Sequence, residues 1–136
     1  MKLIFILFGL VFSFSSYAEE VLYCTIKEGS GIYYKNNEPN SYTLEGTPFS
    51  IKIHNNFETI IVKQSSGYST FRCAETQKEY YHVCNEFVDN KVTGNSIRYN
   101  SQNNHFIRVY STHLGYIFDN TFKVPDFILI GKCEKF

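Results

Sequence analysis

The feature that most constrains this chain is a two-residue hydrophobic rhythm, broken at short intervals by turn residues. Phe49, Ile51 and Ile53 alternate with Ser50, Lys52 and His54. Successive side chains of a strand point to opposite faces, so this alternation reads as a strand with one buried face. A helix needs apolar residues three and four apart, and no stretch sustains that period. Val21 to Ile26 repeats the strand pattern, with Leu22, Cys24 and Ile26 on one face. Gly29-Ser30-Gly31 is expected to end that strand, and Ile32-Tyr33-Tyr34 to form a short one. Residues 35–41, with adjacent asparagines and Pro39, read as a polar loop.

Residues 48–63 read as a hairpin turning at Asn55-Asn56. Ser65-Ser66-Gly67 turns again, and Tyr68 to Cys73 with Tyr80 to Asn85 makes a second hairpin around Lys78-Glu79. Asp89 to Asn95 carries Asp-Asn and Gly-Asn turn chemistry. Ser96 to Asn100 and His105 to Tyr110 form a third hairpin through Gln102-Asn103-Asn104. Gly115 to Phe118 follows, and Asp119-Asn120 and Pro125-Asp126 mark loops. Phe127 to Cys133 is the last strand, and its Ile128-Leu129-Ile130 run predicts burial on both faces. About eight to ten short strands at this spacing predict an all-β antiparallel meander, either a small barrel or a two-layer sandwich. Pairing of the first and last strands would close the sheet and remove its exposed edges.

The N-terminus has a different pattern. Met1-Lys2 precedes an apolar run from Leu3 to Phe14, and no acidic residue comes before Glu19. The run is shorter than the roughly 20 apolar residues that span a bilayer. It fits a secretory signal over residues 1–18. Ser16-Tyr17-Ala18 offers small residues at −3 and −1, which places the cut between Ala18 and Glu19. Tyr23 before Cys24 fits lipoprotein processing badly. The reading is an exported protein, periplasmic or secreted, whose residues 19–136 form a single β domain with no further membrane-spanning segment.

All four cysteines, Cys24, Cys73, Cys84 and Cys133, lie after the leader. An even count in a small exported domain reads as two disulfides, with three pairings open. A hairpin centred at Lys78-Glu79 sets Cys73 opposite Cys84, within reach of a bond, and so favours 73–84 with 24–133. The second bond would close a loop of more than 100 residues. On the chain-entropy model that contributes about 4 to 5 kcal/mol. The ten residues between Cys73 and Cys84 do not make the close pairs that zinc requires.

The formal net charge is zero, which argues against nucleic acid as partner even though Arg72, Arg98 and Arg108 lie near aromatic residues. The 13 Phe and 11 Tyr fit core and strand positions better than a binding surface. His54, His82, His105 and His113 share no metal-binding spacing, and no cofactor motif is present. No Gly-x-Ser-x-Gly elbow occurs, and Gly29-Ser30-Gly31 is too short to be one. Glu58, Glu75, Glu86, Asp89 and Asp119 are carboxylates in turn-rich stretches, with nothing in their spacing to converge them. No residue is therefore assigned a catalytic, cofactor-binding or metal-binding role.

Gly131-Lys132-Cys133-Glu134-Lys135-Phe136, with Leu22-Tyr23-Cys24 and the Cys73 and Cys84 pair, resembles a group of small exported proteins from A/T-rich marine bacteria. That resemblance implies export and a disulfide-bonded β domain, and brings no activity with it. The early Tyr23-Cys24 and the Ser66-Gly67-Tyr68 segment also give a weaker likeness to periplasmic inhibitors of lysozyme, which are small disulfide-bearing β-barrels. Those carry Tyr-x-Cys and Ser-Gly-x-x-Tyr, and this chain departs from both. The expected role is non-enzymatic binding of a protein or small molecule. The alternatives are inhibition of a hydrolase such as lysozyme, and a small hydrolase using loop carboxylates.

Overall fold

The structure, a computed structural model, describes residues 19–35, 38–111 and 126–135. The leader over residues 1–18, the segment 115–118, His113, Asp119, Pro125 and Phe136 lie outside them. Nine strands are described: β1 (Glu20–Lys35), β2 (Glu38–Thr43), β3 (Phe49–His54), β4 (Thr59–Gln64), β5 (Gly67–Ala74), β6 (Tyr81–Val88), β7 (Lys91–Asn100), β8 (His105–Tyr110) and β9 (Asp126–Lys135). Every pairing is antiparallel, in the order β2-β1-β3-β4-β5-β6-β7-β8-β9, and β1 also pairs β9. The last contact closes β1 and β3 to β9 into an eight-stranded barrel, with β2 added outside the ring. Of the two architectures open from sequence, the molecule adopts the barrel.

Strand β1 makes that closure possible by its length. Glu20 to Cys24 pairs β3, while Ser30 to Lys35 pairs β2 on the same side. The opposite edge pairs β9 from Leu22 to Ile32. The glycines at 29 and 31 therefore do not end the strand, contrary to the reading from sequence. A bulge between Ile26 and Glu28 takes up Lys27 instead. The inward positions move from Leu22, Cys24 and Ile26 to Gly29 and Gly31, because one extra residue inverts the two-residue phase. A Cβ on Gly31 would overlap the Tyr42 ring, so glycine lets β2 lie against β1 there. The stretch read as a polar loop over 35–41 thus supplies most of β2, which pairs with β1 along one edge.

The interior is filled. Leu22, Ile51, Val62, Ile60, Phe71 and Ile97 are all at most 1% exposed. Phe49 and Phe106 meet edge to face at 5.1 Å. A Cβ on Gly131 would collide with the Phe106 ring and the Thr25 carbonyl, so glycine opposite Phe106 makes room for the ring. Eight strands leave an interior just wide enough for side chains, and here side chains occupy it. The Ile128-Leu129-Ile130 run is not buried on both faces. Leu129 points inward at 4% exposure, whereas Ile128 and Ile130 face outward at 50% and 39%. Among the described residues no layer packs over these two side chains, so only the inward face of β9 is buried there.

Both disulfides join residues directly opposite in the ladder, Cys24 with Cys133 and Cys73 with Cys84, and no described cysteine is free. Their loops differ, with sequence separations of 109 and 11 residues. Replacing Cys24 and Cys133 together by Ala should cost about 5 kcal/mol on the chain-entropy model, against about 3 kcal/mol for Cys73 with Cys84. Urea unfolding of the two double variants checks this, and equal losses would reject loop entropy as the cause.

Candidate functional site

The meander places the turns at residues 55–58, 75–80 and 101–104 at one end of the barrel, with the start of β1 and the finish of β9. Asn55, Asn56 and Phe57 all have positive φ, of 48°, 52° and 70°. Asn tolerates that region through its short polar side chain, but a Phe there is a strained exception. What holds it is stacking. The Phe57 ring lies 3.7 Å from the His82 ring at an interplanar angle of 7°, and 5.5 Å from Tyr99. Three rings from the β3–β4 turn, β6 and β7 thereby seal this end of the core. Tyr99 Oη donates to Asn104 Oδ1 at 2.6 Å. Burial, with a smaller contribution from the Glu20 charge, pushes the Tyr99 hydroxyl up to about 12. Burial also moves His82 below its ordinary 6.5, so the ring is neutral at pH 7. Its Nε2 is buried without a hydrogen-bond partner.

Outside this seal lies a cleft of about 860 Å³, formed by residues 55–58 on one side and the β5–β6 connection on the other. Cys73 and His82 line it, with Glu58, Glu75, Glu79 and Lys78 around them. Its walls are tied together. Cys73 N donates to the Glu58 carbonyl at 3.0 Å, and the Cys73–Cys84 bond fixes the base of the β5–β6 connection. The Asn55 amide donates to Glu58 Oε2 at 3.2 Å, and Lys78 lies 5.9 Å over the Tyr80 ring. With His82 neutral, three carboxylates face one ammonium, and the cleft is acidic.

The other end of the interior holds a different group. Arg108 is inward and 4% exposed. Its Nε donates to Asn95 Oδ1 at 3.2 Å. Asn95 Nδ2 in turn donates to Glu86 Oε2 at 3.3 Å, and Thr93 Oγ1 donates to the same oxygen at 2.6 Å. A register shift sets residues 93–95 against Glu86, and Gly94 there has φ 88°. The guanidinium lies 5.7 Å over the Phe49 ring, and its second terminal nitrogen, Nη1, finds no acceptor. Burial lowers the Arg108 pKa, with the Glu86 charge opposing. An arginine so placed stays charged and neither donates nor accepts a proton in chemistry, so the relay is read as structural.

These placements sort the residues singled out from sequence. Glu58 and Glu75 come together at the cleft, joined by Glu79, while Glu86 lies inside at the opposite end and Asp89 in the β6–β7 turn. His54 meets Glu19 at 3.2 Å, and His105 is exposed at the start of β8. Ser66-Gly67-Tyr68 sits at the β4–β5 turn, away from the cleft. Arg72 and Arg98 face outward and Arg108 inward, so they make no common basic surface. No group of three or more His, Cys, Asp or Glu among the described residues is placed to hold a metal ion. No helix among them is long and apolar enough to cross a membrane. Phe57, His82 and the Asn95–Arg108 relay were not assigned roles from sequence. The one available signal was Arg108 standing two residues from Phe106, in the inward phase of β8.

Two outcomes follow from this chemistry. Because the folded state holds His82 neutral, it binds fewer protons than the unfolded chain below pH 6.5. The stabilisation is complete above that pH and is lost as pH falls through the lower folded value. Urea midpoints should therefore decline from pH 7.5 to pH 5, and His82→Gln should flatten that slope. Asn95→Ala, which strands the buried guanidinium, should cost about 3 to 5 kcal/mol in the same assay.

No protein-family model, no curated protein and no solved structure matches this chain.

Proposed function

We propose that this protein is an exported, non-enzymatic binding domain that engages its ligand or partner through the acidic cleft at the end of the barrel. The observation that carries the reading is the combination of a filled interior with a concave, braced rim. A barrel packed with side chains leaves no calyx for a guest, so binding falls to the loops at its mouth. The disulfide at the base of the cleft and the stacked Phe57 hold those loops in one shape before binding, which reduces the ordering cost of association. Two disulfides fit an oxidising compartment, and the apolar leader with its Ala18-Glu19 cleavage site supplies the route. The likeness to small exported proteins of A/T-rich marine bacteria points the same way. Mass spectrometry of the protein recovered outside the cytoplasm should then give a chain beginning at Glu19.

A second reading, inhibition of a basic extracellular hydrolase such as lysozyme, is favoured by the acidic excess of Glu58, Glu75 and Glu79 over Lys78. Charge of one sign on the rim steers a partner of the opposite sign and raises the association rate. The deciding experiment is capture by the purified, oxidised protein from periplasmic and medium extracts, beside the Glu75→Gln, Glu79→Gln variant. A partner retained by the protein and weakened about tenfold in the variant supports the cleft. A partner retained equally by both places binding elsewhere and overturns the reading. A captured hydrolase that loses activity in the complex selects inhibition.

A further inference from the structure

We propose that the Cys73–Cys84 bond is a thiol–disulfide exchange site, open at Cys73 to an external dithiol, while Cys24–Cys133 is a closed structural bond. The two bonds differ in access. Cys24, Cys133 and Cys84 are all 0% exposed. Cys73 alone is half-buried, and it lines the cleft. Exchange requires an attacking thiolate to reach one sulfur, so access decides which bond reacts and which sulfur is struck.

The reaction balances without a further reagent. One thiolate of the dithiol attacks Cys73 Sγ, forming a mixed disulfide as the Cys73–Cys84 bond breaks. Cys84 Sγ leaves as thiolate and takes up a proton. The second thiol of the reagent then attacks its partner sulfur in the mixed disulfide, releasing Cys73 as a thiol. The protein gains two electrons and the dithiol becomes a cyclic or intramolecular disulfide.

The architecture confines the consequence. Cys24–Cys133 stays across the closing β1–β9 seam, so the reduced chain keeps its barrel. The bond that opens spans only the β5–β6 hairpin, whose connection at residues 75–80 forms one wall of the cleft. Reduction therefore loosens that wall and leaves the other, anchored by Phe57 on His82, in place. The inference rests on the partial exposure of Cys73 at the cleft, beside three fully buried cysteines, and is independent of what the cleft binds.

The test is native-state reduction of the oxidised protein with dithiothreitol, quenching by iodoacetamide at intervals, and mapping of labels by mass spectrometry. A doubly labelled species, carrying both labels on Cys73 and Cys84 and retaining its far-ultraviolet circular dichroism, should form at least about tenfold faster than the fourfold-labelled one. Labels on Cys24 and Cys133 first, or all four together at the rate of global unfolding, would overturn it. The Cys73→Ser, Cys84→Ser variant supplies a second readout. It should fold with Cys24–Cys133 intact and show faster hydrogen exchange over residues 75–80 than the oxidised protein. Unchanged exchange there would reject the bond as the brace of that wall. A protein dithiol of the Cys-x-x-Cys type, run in place of dithiothreitol, distinguishes a cleft that admits a protein thiol from one that admits only a small reagent.

Discussion

Closure of the β1–β9 seam is the constraint on which the rest of this structure depends. Eight strands of an antiparallel meander form a ring only if the first finds the last, and that pairing spans nearly the whole chain. Such a contact incurs the largest loop-closure entropy in the molecule. Cys24–Cys133 sits within that ladder, so it removes this entropy from the unfolded chain at the point where the fold needs it most. Without the seam, β1 and β9 would each present an open edge, and the apolar outward side chains of Ile128 and Ile130 would lie beside one.

Closure also explains the bulges. A ring of tilted strands requires local changes in twist, and an extra residue in one strand supplies them. In β1 the extra residue is Lys27, and its effect is to exchange large inward side chains for Gly29 and Gly31. In β7 the irregularity at residues 93–95 brings a hydroxyl and an amide onto one oxygen of Glu86. The same local device therefore makes room at one place and satisfies a half-buried carboxylate at another. The Asn95 amide bridges Arg108 and Glu86, two ions that act on each other through space without a direct contact among the described hydrogen bonds and ion pairs.

What the sequence made legible is what depends on local alternation. The hairpins around Asn55-Asn56, Lys78-Glu79 and Gln102-Asn103-Asn104 turn where expected, because turn residues and strand phase are written next to each other, although β7 already begins at Lys91, inside the stretch Asp89 to Asn95 read as turn. The pairing of Cys73 with Cys84 is read from the same register. Three features were hidden, each for a physical reason. Gly29-Ser30-Gly31 looks like a break because glycine weakens strands, yet here it relieves a steric contact with a strand that comes later in the chain. Ile128 and Ile130 look buried because hydrophobicity does not say whether a second layer exists. The cleft joins two turns distant in sequence, and Phe57 belongs to it through a backbone conformation that its residue type disfavours. Sequence periodicity carries no information about any of these.

That last conformation connects stability with the site. A left-handed Phe costs of order 1 to 3 kcal/mol and persists only where its surroundings over-determine it. Here the surroundings are the His82 and Tyr99 rings, which are themselves held by the strands of the closed barrel. Stacking on a neutral imidazole hides apolar area that would otherwise lie open at the barrel mouth, and offsets the strain. The turn is thereby pinned by its least tolerant residue, and it carries Glu58 to the cleft with Cys73 bonded to its carbonyl. One wall of the cleft is thus fixed by core packing and the other by a covalent bond. A cleft built from two loops keeps one shape only if both are held, and this fold secures each by a different interaction.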